Sequence, residues 1–267
     1  MRAVPQWRVQ KPRTVVVTRY VTPLREGGSL PAIVEADDEG MYVLKFRGAG
    51  QGPRALIAEL VSGEIARALG LPVPEIVFAE LHPDLSRTEP DPEIHALILD
   101  SAGVNLALDY LPGSVTFDPL VHELDADLAS RIVWFDGYVT NVDRTARNTN
   151  MLMWHRRLWL IDHGATLYAH HAPEWHTDRR RPRDPFPMIR NHVLRARAKG
   201  VLAVDPILAG SIDAGTIATI VDWVPEGWLT AGESGSDAAA QRAAYVRYLT
   251  ERLAAPRPFV EEAARVD

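Results

Sequence analysis

The stretch NVDRTARNTNMLMWHRRLWLIDHG, residues 141–164, decides how this chain is read. Two strand-like runs, NMLMW and RLWLID, flank a His155-Arg156 pair that reads as a tight turn. Ahead of them, Asp143, Arg144, Asn148 and Asn150 fall within eight positions. Asp162 ends the second run, just before His163 and Gly164. If the runs pair as a hairpin, the loop before them and the residues after them lie at the same end. Asp143, Asn148 and Asp162 then converge. Asx turns and caps around a hairpin are the plainer account, and they suffice for any one of these residues. They do not explain the whole pattern. One carboxylate and one carboxamide suit Mg²⁺, which keeps waters and leans on substrate phosphates. A second carboxylate is left to accept a hydroxyl proton. Kinase-type phosphoryl transfer divides the work in this way.

Upstream of the hairpin the text is rich in strands. RTVVVTRYVT at 13–22, PAIVEA at 31–36 and GMYVLKFRG at 40–48 read as strands, with Lys45 in the last of them. A further strand is expected within LPVPEIVFAEL, and IHALILD at 94–100 reads as another buried strand. One helix interrupts them, PRALIAELVSGEIARAL at 53–69, started by Pro53 and stopped by Gly70. Ile57, Leu60, Val61, Ile65, Ala68 and Leu69 repeat at helical spacing. A lone strand Lys usually snorkels at an edge, but phosphoryl transfer wants such a Lys on the phosphates, paired with a helix Glu. The helix offers two. Glu64 falls inside the apolar stripe and Glu59 on the opposite side, and the spacing leaves the choice open.

Beyond residue 100 the composition turns helical. Residues 123–139 form an amphipathic helix, and after residue 189 the segments IRNHVLRARAK, DPILAGSI, AGTIATIVDWV and DAAAQRAAYVRYLTERLAA all read as helices. The expected class is α+β, with a β-rich part at 1–104 carrying one helix and a mainly helical part at 105–267. His170, His171 and His176 read as loop histidines rather than a metal site, and Arg179–Arg183 as a solvated basic loop.

The formal net charge of −6 argues against nucleic acid as the main partner, because phosphate-backbone binding wants surplus Lys and Arg. No cysteine is present, which excludes disulfides and thiolate chemistry. No apolar run is long enough to span a membrane and no leader precedes the first strand, so the default expectation is a cytoplasmic protein.

VLKF, then AELVSGEIARALGLPVPE, then NVDRTARNTN, then LIDHG together resemble the HipA-like kinases, divergent relatives of protein kinases and phosphatidylinositol kinases. The resemblance is closest to a compact branch of that family and covers most of 13–225. It implies a bilobal protein-kinase-like fold and an ATP- and Mg²⁺-dependent transfer to a hydroxyl, on Ser or Thr of a protein or of the chain itself. Carried over by position, Asp143 is the catalytic aspartate, Asn148 and Asp162 hold Mg²⁺, and Lys45 contacts the phosphates. Glu59 matches the helix glutamate better than Glu64, by its distance from the Gly-Leu-Pro after the helix. In place of a GxGxxG before Lys45 there is only Gly27-Gly28-Ser29. The toxin role of larger family members, with its antitoxin and operator DNA, is not expected to carry over. A small-molecule or lipid kinase, a nucleotide-binding regulatory pseudokinase and a metal-dependent hydrolase are the competing readings.

Overall fold

The computed structural model describes residues 9–24, 30–50, 52–172, 174–231 and 237–265. Its N-terminal half is a closed five-stranded barrel in the order β1-β2-β3-β5-β4. The strands are β1 (Thr14–Pro23), β2 (Ala32–Ala36), β3 (Met41–Lys45), β4 (Ile76–Leu81) and β5 (Gly103–Asp109). All neighbours run antiparallel except β1 and β4, whose parallel pairing at 14–16 and 78–80 closes the barrel. Alternation drives this part: Val15 and Val17 of β1 point inward while Thr14 and Val16 face out. With Val34, Leu44, Val77, Ala79 and Ala107 they build the barrel core.

Between β3 and β4 runs α1 (Pro53–Ala68). Gly52 enters it at φ 68°, a conformation natural to glycine, and Pro53 fits its first turn. Every residue from Leu56 to Ala66 is buried. The helix therefore has no solvent face, and the apolar stripe could not choose between Glu59 and Glu64. Gly63 allows this close fit: a Cβ there would sit 2.5 Å from Ile76 Cδ1.

Three expectations need correction. Residues 94–100 are not a strand but lie in α2 (Pro92–Asp100), so two helices accompany the barrel. Asp91 caps that helix, accepting a bond from the Glu93 amide at 2.9 Å, and Pro92 starts it. The expected helix over 189–199 is instead two short 3₁₀ turns, at Pro187–Asn191 and Arg195–Arg197. Finally, β5 crosses residue 104, and its pairing with β3 and β4 keeps 105–109 in the barrel.

The second half holds a three-stranded sheet of β6 (Val115–Thr116), β7 (Met151–Trp154) and β8 (Arg157–Leu160). The β7–β8 hairpin turns at His155 and Arg156, whose φ values of 48° and 61° give the twist a two-residue hairpin favours. The same half holds α3 (Ala126–Tyr138), α4 (Val201–Ala209), α5 (Ala214–Asp222), α6 (Glu226–Leu229), α7 (Ala238–Leu253) and α8 (Pro258–Ala264). Asp125 caps α3 through the amides of Asp127 and Leu128, both at 3.1 Å. One apolar core joins α1 to these helices, including Ile57, Ile65, Trp134, Phe135, Ile217 and Leu249. Trp228 of α6 packs on Phe78 of β4 at 6.1 Å and donates to the Val104 carbonyl.

Candidate functional site

Lys45 ends β3 and reaches out of the barrel wall toward α1. Its Nζ lies 2.5 Å from Glu59 Oε2 and 2.5 Å from Asp162 Oδ1. Glu64 does not join it; it sits 3.6 Å from Arg67 on the same helix. Burial works against the Lys45 charge, but Asp162 and Glu59 outweigh it and raise its pKa above the usual lysine range. The fully buried Glu59 shows the converse. Burial would raise its carboxyl, yet Lys45 and His163 hold it well below the usual carboxylate range. His163 Nδ1 stands 3.4 Å from Glu59 Oε1, and its ring meets Phe135 edge-on at 5.8 Å. The site thus lies where the barrel meets the hairpin.

The hairpin supplies the remaining groups. Asp143 Oδ2 accepts bonds from Asn148 Nδ2 at 2.7 Å and Asn150 Nδ2 at 3.1 Å. The Asp143 amide donates to Asn141 Oδ1 at 3.0 Å. Asn148 is exposed, and the Asp162 side chain is 44% exposed. Asp162 takes φ 55°, in the left-handed region that Asp and Asn tolerate better than other side chains. The Ile161 amide donates to the Asn150 carbonyl, so the two ends of the hairpin meet as its pairing requires.

Arg144, in the same loop, was open to two roles, binding phosphate or holding the loop, and its contacts are those of a residue that holds the loop. It is wholly buried, with Nε 2.7 Å from Asp136 Oδ2. Its Nη1 donates to the carbonyls of Asn150 and Ile161, clipping the residue before β7 to the residue after β8. Asp136 lies on α3 and also accepts from Asn141 Nδ2 and His192 Nε2, both at 2.8 Å. Burial would push Asp136 up, but Arg144, His192 and Asn141 hold it well below the carboxylate range. The sequence does hold one signal for this network, a lone carboxylate amid the apolar run of α3. Nothing in the sequence marks His192 as its third partner.

Gly27, Gly28 and Ser29 lie outside the described residues. His170 is buried, bonded to Tyr245 Oη at 2.9 Å and to His171 at 3.0 Å. Within the basic run, Arg179 pairs with Glu251, and Arg183 donates to the carbonyls of Ala254 and Pro256. Among the described residues no three His, Asp or Glu side chains form a metal-binding group, and no single helix is long and apolar enough to cross a membrane.

The fold is similar to that of a proinflammatory kinase from Helicobacter pylori, CtkA, with a TM-score of 0.54 at 14% identity. The match covers 93% of this chain and 96% of the other. A family model described as HipA-like kinase matches residues 17–255. No curated protein matches the chain. Fold and family together define a kinase-like phosphotransferase of mixed α and β structure. Within that class, the chain belongs to the HipA-like kinases.

Proposed function

We propose that the chain is an ATP- and Mg²⁺-dependent kinase that phosphorylates a Ser or Thr hydroxyl of a protein or of itself. In this reading the barrel and the helical part are the two lobes of a kinase, and nucleotide binds between them. The observation that carries it is the position of the Lys45 ammonium, bound at once to the buried Glu59 and to Asp162. Phosphoryl transfer is mainly positioning and charge stabilisation, so a fixed cation beside a metal-binding carboxylate is its central requirement.

Lys45 stays protonated and meets the nucleotide phosphates, while Glu59 fixes its direction. Asn148 and Asp162 would hold the metal. Their carboxamide and carboxylate oxygens are hard donors, both side chains reach solvent, and few protein ligands leave room for water and phosphate. Bound Mg²⁺ would neutralise charge on the phosphates. Asp143, oriented by Asn148 and Asn150, accepts the proton of the attacking hydroxyl. The hydroxyl oxygen bonds to the γ-phosphorus, the bond to the bridging oxygen breaks, and ADP leaves.

Titration calorimetry with Mg-ATP on the wild type and Asp162→Asn tests this. Asparagine keeps the φ of 55° accessible, so the variant removes charge rather than backbone shape. Binding by the wild type, and its loss in the variant, supports the reading. Absence of nucleotide binding in the wild type would end it.

A further inference from the structure

His163 stands between Asp162 and Gly164, wholly buried, with its Nδ1 3.4 Å from Glu59 Oε1. Glu59 therefore has a partner on each oxygen, Lys45 Nζ on Oε2 and His163 on Oε1. A carboxylate has no hydrogen to offer, so Nδ1 carries one and donates it. The other ring nitrogen, Nε2, is buried and has no hydrogen-bond partner among the described residues. An orphaned polar atom of this kind destabilises a fold, and packing does not require it. A Phe at this position would fill the same space and keep the edge-on contact with Phe135 at 5.8 Å, without the orphan. The imidazole is accounted for by what Nδ1 does and a Phe cannot do.

The backbone on both sides of this contact is held. Gly63 brings α1 close, since a Cβ there would stand 3.8 Å from His163 Nδ1. Thr166 Oγ1 donates to the His163 carbonyl at 2.7 Å and lies 2.6 Å from Ser62 Oγ on α1. Side chains thus tie α1 to the segment after Asp162 through Ser62 and through Glu59, and of these two ties the one at Glu59 reaches the Lys45 ammonium. Asp162 binds that ammonium directly. Two adjacent residues therefore fix Lys45, Asp162 by contact and His163 by way of Glu59.

We propose that His163 is a positioning residue for nucleotide binding, whose Nδ1–H holds the Glu59 carboxylate at the angle that aims Lys45 at the phosphates. This inference rests on the kinase reading and adds a determinant of nucleotide affinity to that site. Without the Nδ1 donor, Glu59 Oε1 loses its partner in a slot closed to water. The carboxylate then turns to share both oxygens with Lys45 and draws the ammonium toward α1, away from the phosphates. His163 acts through Glu59 alone: it transfers no proton and does not touch the nucleotide.

The test compares His163→Phe, His163→Asn and Ser62→Ala in the full chain by Mg-ATP calorimetry. Lost fold lowers the stoichiometry, whereas lost positioning raises Kd. His163→Phe should raise Kd about tenfold at unchanged stoichiometry, the size of one hydrogen bond to a charged group. His163→Asn puts an amide nitrogen where Nδ1 was and should restore most of the affinity. Ser62→Ala removes the other tie and should leave Kd unchanged. Equal Kd in wild type and His163→Phe, equal weakening in the Phe and Asn variants, or weakening by Ser62→Ala to the same degree would overturn the proposal. A second readout needs no nucleotide. The chain has three lysines, Lys11, Lys45 and Lys199, so isotope-labelled lysine gives few NMR signals, and Lys45→Arg assigns the one that disappears. His163→Phe should shift the Lys45 signal, and His163→Asn should return it toward its wild-type position. Failure of the wild type to bind Mg-ATP removes the kinase reading. In that case a shifted Lys45 signal still supports the grip of His163 on the Lys45–Glu59 pair, and an unshifted one overturns it.

Discussion

The guanidinium of Arg144 and the carboxylate of Asp136 meet at 2.7 Å with neither side chain exposed at all. Such a pair is weak evidence for net stabilisation, because desolvating both charges offsets their attraction. Removing one partner is another matter, since it leaves an uncompensated buried charge. Asp136→Asn should cost about 3–5 kcal/mol, read as a lower denaturant midpoint. The same pair sets an acid limit. The Asp136 pKa is depressed in the fold, so its contribution is full above the ordinary carboxylate range and is lost as pH falls below that range. The midpoint of the variant should therefore fall less steeply with acid than that of the wild type. Parallel acid profiles would refute this account of Asp136.

Glu64 gives the opposite sign. Burial raises its pKa to about 7, against the opposing pull of Arg67. Its protonated form suits the fold, so stability is full below about pH 4 and declines as pH rises toward 7. Glu64→Gln should match the wild type near pH 4 and exceed it by about 1–3 kcal/mol at pH 8. Thermal melts at the two pH values check this, and a variant less stable than wild type at pH 8 would contradict it.

Glu59→Gln should behave unlike Glu64→Gln, although the two residues sit five apart on one helix. It removes the anion that fixes Lys45 and faces His163. On the kinase reading, phosphotransfer should fall by about 10²-fold, a usual loss when a positioned charge is disturbed. A variant with full activity would separate Glu59 from Lys45 in function.

Asp143→Asn should leave the fold intact, since the asparagine oxygen can still accept from Asn148 and Asn150. Mg-ATP should bind with near wild-type affinity while transfer drops by about 10²–10⁴-fold, the usual contribution of a general base. Loss of nucleotide binding in step with activity would move Asp143 from proton acceptor to nucleotide ligand.

The hairpin geometry of the candidate site was legible because it is local. The β7–β8 hairpin could be read from two apolar runs around a two-residue turn, and pairing alone brings the Asp143 loop beside Asp162. The α2 segment misled because a seven-residue apolar run has too few repeats to show its period. The decisive signal there was Asp91-Pro92 just ahead of it, a cap and a helix start. Glu59 could not be chosen by helical stripe because α1 is enclosed by the barrel on one side and the C-terminal helices on the other. Arg144, Asp136 and His192 stayed hidden for a different reason. They come from three separate segments, and only tertiary folding makes them one network.

The Arg144 clip has a mechanical consequence. By gripping the carbonyls of Asn150 and Ile161 together, it makes the Asp143 loop and Asp162 parts of a single stiff bracket. On the kinase reading, this clip fixes the spacing of the two aspartates, and adjustment to a larger or smaller nucleotide would fall to the barrel that carries Lys45.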